Sequence, residues 1–185
     1  MVADVSGKGV SAALLASLLQ GAFMMASGAP EDIVPMFERW NHFLLERTKG
    51  EKYATIFFAA IDSSGLFSYT NAAHCEPFLV GADGRVRRIK ESGMPVGLLE
   101  AAQFEMHELQ LAPGDKVVIY SDGLTEAESA DGQFFEMTRL RSFLRDHATL
   151  GAAELHAMLI DVIRRFTEGG VIRDDITALV LEFRR

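Results

Sequence analysis

The chain has 185 residues, 49% hydrophobic and 24% charged, which is the profile of a soluble globular protein most simply built as one domain, 1–185, with one sizeable core. Its 18 basic and 26 acidic residues leave a net charge of −8, and no basic stripe runs along it, which argues against a nucleic-acid partner. A single cysteine, Cys75, excludes a disulfide framework and a Cys-paired metal site; the five histidines lack zinc-ligand spacing; no secretory signal is visible, and a reducing, cytoplasmic setting is expected.

In chain order, Asp4 to Gly9 reads as a strand end and a tight turn. Val10 to Ala29 then runs without a charge, long enough to span a bilayer. Its pairs Leu14/Leu15, Leu18/Leu19 and Ala22/Phe23 recur four apart among small residues, so it reads instead as a buried helix from Val10 to Ala26 that stops at Ser27-Gly28. No membrane insertion is expected. A second helix begins near Pro30-Glu31-Asp32 with Ile33, Phe37, Trp40 and Leu44 on one face; Pro35 fits only as a first-turn residue. Leu18 and Phe37 are read as core, and the two helices as a candidate switch acting on the turn before them.

From Lys52 the pattern turns to strands. "YATIFFAAID" and "LFSYTNAA" flank a turn at "SSG". "EPFLV" and "RVRRIK" flank Gly81-Ala82-Asp83-Gly84, a hairpin signal, and Arg85-Val86-Arg87-Arg88 reads as a solvated strand face. "QFEMHELQL" alternates as a strand should, and "KVVIY" is a continuous apolar strand ending in Ser121-Asp122-Gly123. After a polar loop, Thr125 to Gln133, two helices are predicted near Glu136–Asp146 and Ala152–Thr167. Arg173-Asp174-Asp175 precedes a last strand, "ITALVLEF". Segregated helices and strands argue α+β: two sheets face to face with helix pairs outside.

Three acidic features share one setting. Asp4 ends a strand before glycine-rich backbone, Asp122 ends an apolar strand before Gly123, and Asp174-Asp175 opens another. Each alone also fits a turn or a helix cap. An acid at the mouth of a core strand is costly to desolvate unless something positive faces it, and no lysine or arginine stands beside all three. A shared hard cation is the economical partner, and oxygen-only donors point to Mg²⁺ or Mn²⁺.

Taken in order, "DVSGKGVSAALLAS", "YATIFFAAID", "FSYTNAAHCEPFLV", "GMPVGLL", "LAPGDKVVIYSDGLTEA" and "DDITALVLEF" resemble the SpoIIE/RsbU-type bacterial serine phosphatases of the PP2C-like (PPM) family. The resemblance covers essentially the whole chain. It implies a four-layer α-β-β-α sandwich of two mainly antiparallel sheets flanked by helix pairs. It implies two Mn²⁺ or Mg²⁺ ions and hydrolysis of phosphoserine or phosphothreonine by metal-activated water. The ligands it implies are Asp4, the Val5 carbonyl, Asp122 and Asp174, with Asp175 in support. The partners it implies are a phosphorylated anti-anti-sigma (STAS) protein and an upstream sensor or response-regulator domain. The family's earlier strand pair with its "GGDxxD"-like block has no counterpart before Met1-Val2-Ala3-Asp4. The domain is therefore expected to be N-terminally truncated, with one metal carboxylate absent and one ion open to loss; a second copy, as a homodimer, could supply strands. Ala73 stands where the family block has Gly.

Other residues read more plainly. Lys8 suits a loop or surface role, because Gly9 after it breaks the P-loop pattern. His74 reads as a buried, hydrogen-bonded histidine rather than a general acid, and Cys75 lacks a base with catalytic geometry. Two functions follow: a metal-dependent protein serine/threonine phosphatase, or a catalytically impaired interaction module of the same fold.

Overall fold

The computed structural model describes residues 1–25, 32–170 and 174–184. The helix stop at Ala26 to Gly28 and the second helix's start at Pro30-Glu31 lie outside them. The chain divides into two compact units: residues 1–74 with 91–110, and residues 75–90 with 111–185.

In the first unit, strands β1 (Val2–Val5), β2 (Ala54–Ile61), β3 (Leu66–Ala72) and β6 (His107–Gln110) form an antiparallel sheet in the order β1-β2-β3-β6. The β2–β3 turn is tied by Asp62, whose Oδ1 accepts from Ser64 N, Ser64 Oγ and Leu66 N at 2.7, 2.6 and 3.1 Å. Side chains alternate across a strand, so Ala54, Ile56 and Phe58 share one face of β2. Helices α1 (Val10–Met24) and α2 (Ile33–Thr48) bury Leu15, Leu19, Ile33, Phe37, Trp40 and Leu44 in one cluster with them. Phe57, Phe67 and Tyr69 stack on the opposite face, with centroids 5.7 to 6.4 Å apart. Pro35 does fall in the first turn of α2, where a missing N–H costs no helical bond.

The prediction for the first helix needs correction. Only Ala12, Leu15 and Leu19 of α1 are buried, with Ala22 and Phe23 packed beside them. Leu14 is 61% and Leu18 49% exposed, so Leu18 is not a core residue. Only Ser11, Ser17 and Gln20 are polar in this uncharged helix, and leucine pairs spread over more than one face, so its periodicity does not single out the face that packs. Among the described residues no helix is long and apolar enough to cross a membrane.

In the second unit, β4 (Phe78–Val80), β5 (Val86–Arg88), β7 (Lys116–Tyr120) and β8 (Ala178–Glu182) form an antiparallel sheet in the order β5-β4-β7-β8. Helices α4 (Glu136–Asp146) and α5 (Ala152–Phe166) bury Leu140, Leu144, Leu155, Leu159 and Ile163 in a cluster with Phe78, Val80, Val118 and Tyr120. A one-turn helix, α3 (Asp122–Thr125), follows β7. Lys116 is buried, and its ammonium donates to the carbonyls of Ala148 (3.0 Å) and Gly114 (3.2 Å). The basic run at β5 is only partly solvated: Arg85 and Arg87 are exposed, but Arg88 pairs with Glu76 at 3.0 Å.

The architecture is thus α+β, two antiparallel sheets each with its own helix pair. The predicted strand "QFEMHELQL" is shorter than expected. Phe104 is buried in the first core and Thr70 Oγ1 donates to Glu105 O at 2.9 Å, so side chains hold that stretch before the ladder begins at His107.

Candidate metal centre

In the first unit, β1 carries Asp4 directly opposite Thr55 of β2, on the sheet face away from α1 and α2. Asp4 is exposed. Thr55 Oγ1 lies 3.0 Å from Nδ1 of His74. His74 is buried, its N–H donates to Asn71 Oδ1 (2.8 Å), and its carbonyl accepts from Asn71 Nδ2 (3.2 Å). It is a hydrogen-bonded core histidine behind the cross-strand neighbour of Asp4. The turn after β1 closes onto β2, with Ser6 N–H donating to Tyr53 O at 2.9 Å and Tyr53 N–H donating to Ser6 Oγ at 3.0 Å.

In the second unit, β7 is buried along its whole length and delivers Asp122 to the surface as the first residue of α3. Burial pushes the Tyr120 phenol up, with Cys75 and Glu76 adding to the effect and Arg88 opposing it. Ser121 laces the two acidic turns together. Its Oγ donates to Asp175 O and accepts from Thr177 N–H, both at 2.9 Å, and its N–H donates to Thr177 O at 3.1 Å. A Cβ on Gly123 would overlap the Asp175 carbonyl, so only glycine allows this approach. Asp122 Oδ1 accepts from Gly123 N–H (2.8 Å) and Asp174 Oδ1 from Asp175 N–H (2.9 Å). Oδ2 of each meets no donor among the described residues, and both aspartates are exposed.

The structure therefore joins the Asp122 turn to the Asp174-Asp175 turn through Ser121, and sets Asp4 on the Thr55 face of its own sheet. Solvated carboxylates with unengaged oxygens fit a hard divalent cation in donor chemistry. Among the described residues, no group of three or more His, Cys, Asp or Glu side chains stands ready to hold a metal ion. Sequence reasoning missed Ser121 and Thr55. Both lie inside quoted blocks, "SDG" and "YATIFF", but nothing in their spacing marks them as partners of residues about twenty to fifty positions away.

The sequence profile of Stage II sporulation protein E (SpoIIE) matches residues 1–184. The chain is 26% identical to the phosphoserine phosphatase RsbU of Bacillus subtilis over 97% of its own length and 54% of that protein's. It spans only 20% of another curated relative. The crystal structure of the RsbU and RsbW domains of Rv1364c from Mycobacterium tuberculosis superposes with a TM-score of 0.81 at 28% identity, covering 98% of this chain and 50% of that one. The SiaA-PP2C domain of Pseudomonas aeruginosa gives 0.79 at 20% identity over 98% of this chain and 74% of that one, a likeness of fold.

Proposed function

The chain belongs to the SpoIIE family, and from that premise we propose that it is a metal-dependent phosphatase acting on phosphoserine or phosphothreonine of a regulatory protein. The observation that carries the proposal is the stitching of the Asp122 turn to the Asp174 turn by Ser121. Ser121 is buried and its three polar contacts hold the two exposed acidic turns together, and two acidic turns held side by side repel unless a cation joins them. The proposed protein ligands are Asp4, the Val5 carbonyl, Asp122 and Asp174, with Asp175 fixing its neighbour. Bound Mn²⁺ or Mg²⁺ would supply Lewis acidity and lower the pKa of an attacking water. Thr55 and His74 brace β2, the strand paired with the one that presents Asp4, and Gly123 keeps the second turn close enough to aim Asp122.

The substrate class follows from the same family premise: a small phosphorylated STAS-type protein, with input from a linked sensor or response-regulator domain. RsbU, a relative matched over 97% of this chain, is itself a phosphoserine phosphatase, which supports the assignment of phosphoserine. The second reading, a module of this fold that binds partners without catalysis, draws on the missing three-ligand cluster among the described residues. One assay separates them. Mn²⁺-dependent phosphate release from a phosphoserine protein is expected, with chelation abolishing it and Asp122→Asn reducing it to background. A folded chain that neither binds Mn²⁺ nor releases phosphate supports the module, and activity surviving in Asp122→Asn overturns the ligand assignment.

A further inference from the structure

Lys52 lies just before β2, and no motif singled it out. Its ammonium donates to Ser6 O at 3.2 Å, across 46 positions. Its neighbour Tyr53 holds the same residue twice more, through the Ser6 N–H and the Ser6 hydroxyl. Two consecutive residues thus grip every polar group of Ser6. Gly7 completes the fit: its φ is +87°, and a Cβ there would overlap Lys52 Nζ, so the ammonium occupies the space a side chain would need. Lys52 is half-buried, and no carboxylate pairs with it among the described residues. A lysine that spends its side-chain entropy on one backbone carbonyl is holding that carbonyl in place.

What this holds follows from peptide geometry. In a planar trans peptide the C=O and N–H point in opposite directions. With Ser6 N–H fixed on Tyr53, the Val5 carbonyl must point away from β2, towards the open edge of the sheet where β1 lies. With Ser6 O fixed on Lys52, the next peptide plane is set as well.

We propose that Lys52 is a positioning residue for the turn after β1: seated over Gly7 and bonded to Ser6 O, it fixes how Asp4 and the Val5 carbonyl are presented to a divalent cation. The inference rests on the reading of Asp4 and Val5 as ligands. It differs from a purely electrostatic role in sign. A positive charge near a bound cation repels it, so if charge were the main effect, removing it would tighten binding.

The test uses the full chain and two readouts. Mn²⁺ affinity is titrated by electron paramagnetic resonance of the free ion, and amide exchange at Ser6 is followed in metal-free protein. Lys52→Met is expected to weaken Mn²⁺ binding about tenfold, as loss of a group supporting a ligand does, and to speed Ser6 exchange while the thermal midpoint stays near that of the wild type. Lys52→Arg should return the affinity to within about threefold, because a flat guanidinium can lie over a glycine and still donate. Lys52→Gln, uncharged and shorter, replaces the methionine variant if that one unfolds. Unchanged affinity and exchange, or tighter binding, overturns the proposal. A wild-type chain that binds no Mn²⁺ sinks the phosphatase reading instead, and the exchange measurement still decides whether Lys52 holds the turn.

Discussion

At Ala73 the backbone turns left-handed, with φ +56°, between the end of β3 and the buried His74. The left-handed region costs an L-residue roughly 1–2 kcal/mol, and glycine's extra freedom in the unfolded chain gives back about 0.5–1 kcal/mol of any gain. Ala73→Gly is therefore expected to stabilise the protein by up to about 1 kcal/mol, read as a higher urea midpoint at constant m-value. A lower midpoint shows that the strain is absorbed elsewhere. The sequence flags this position only as an alanine where the family block has glycine; the sign of φ supplies the physical reason. Asp62 makes a second residue-scale case. Its carboxyl is held below the usual carboxylate range, chiefly by the Ser64 hydroxyl and then by backbone N–H groups of the turn. A depressed folded pKa gives stability that is present above the unfolded value, near pH 4, and lost as pH falls through the folded value. The stability difference between wild type and Asp62→Ala should accordingly be full at neutral pH and shrink on acidification. A difference that does not vary with pH removes the turn's ionised cap from the account.

The elements show where sequence pattern suffices and where it stops. Helices α2, α4 and α5 are legible because each carries one apolar face, and β7 because a fully buried strand reads as an unbroken apolar run. The faces of α1 are less legible, since its exposed side carries Leu14 and Leu18 beside the polar Ser11, Ser17 and Gln20. The acidic turns are legible as separate features, but the Ser121 bonds that join two of them are not, because sequence spacing carries no record of tertiary approach. The "GMPVGLL" block is a further instance. Its role lies in what it ties: Gly93 N–H donates to Asn71 O (2.8 Å), Val96 and Ala54 exchange backbone bonds at 2.8 and 2.9 Å, and Gly97 N–H donates to Asn41 Oδ1 (2.7 Å). Asn41 is buried on α2 and its Nδ2 also donates to Leu99 O at 2.9 Å. One polar side chain thus clamps the block to a helix otherwise packed through Phe37, Trp40 and Leu44. Asn41→Ala strands the buried Gly97 N–H without its partner and should cost about 1–3 kcal/mol, measured by denaturant unfolding. A loss under about 1 kcal/mol means water replaces the amide and the clamp is dispensable.

For the whole molecule, the chain's route matters more than its composition. It passes between the two units three times, after His74, Lys90 and Gln110, so neither unit is one continuous stretch. Each has its own apolar cluster, and each cluster needs residues from an inserted segment: Val96 and Phe104 in the first, Phe78 and Val80 in the second. If the second unit melted alone, residues 75–90 would remain a loop closed at both ends by folded neighbours; if the first melted alone, residues 91–110 would. Loop closure of that length costs roughly 2–3 kcal/mol, enough to hold either half-unfolded form to a few per cent or less. The two cores should therefore unfold together. Trp40, the single tryptophan and 5% exposed, reports the first core alone, whereas far-ultraviolet circular dichroism reports the helices of both. Urea transitions followed by tryptophan fluorescence and by circular dichroism are expected to coincide. Distinct midpoints would show that the interleaved route imposes too small a penalty and that each sheet, with its helix pair, melts on its own account.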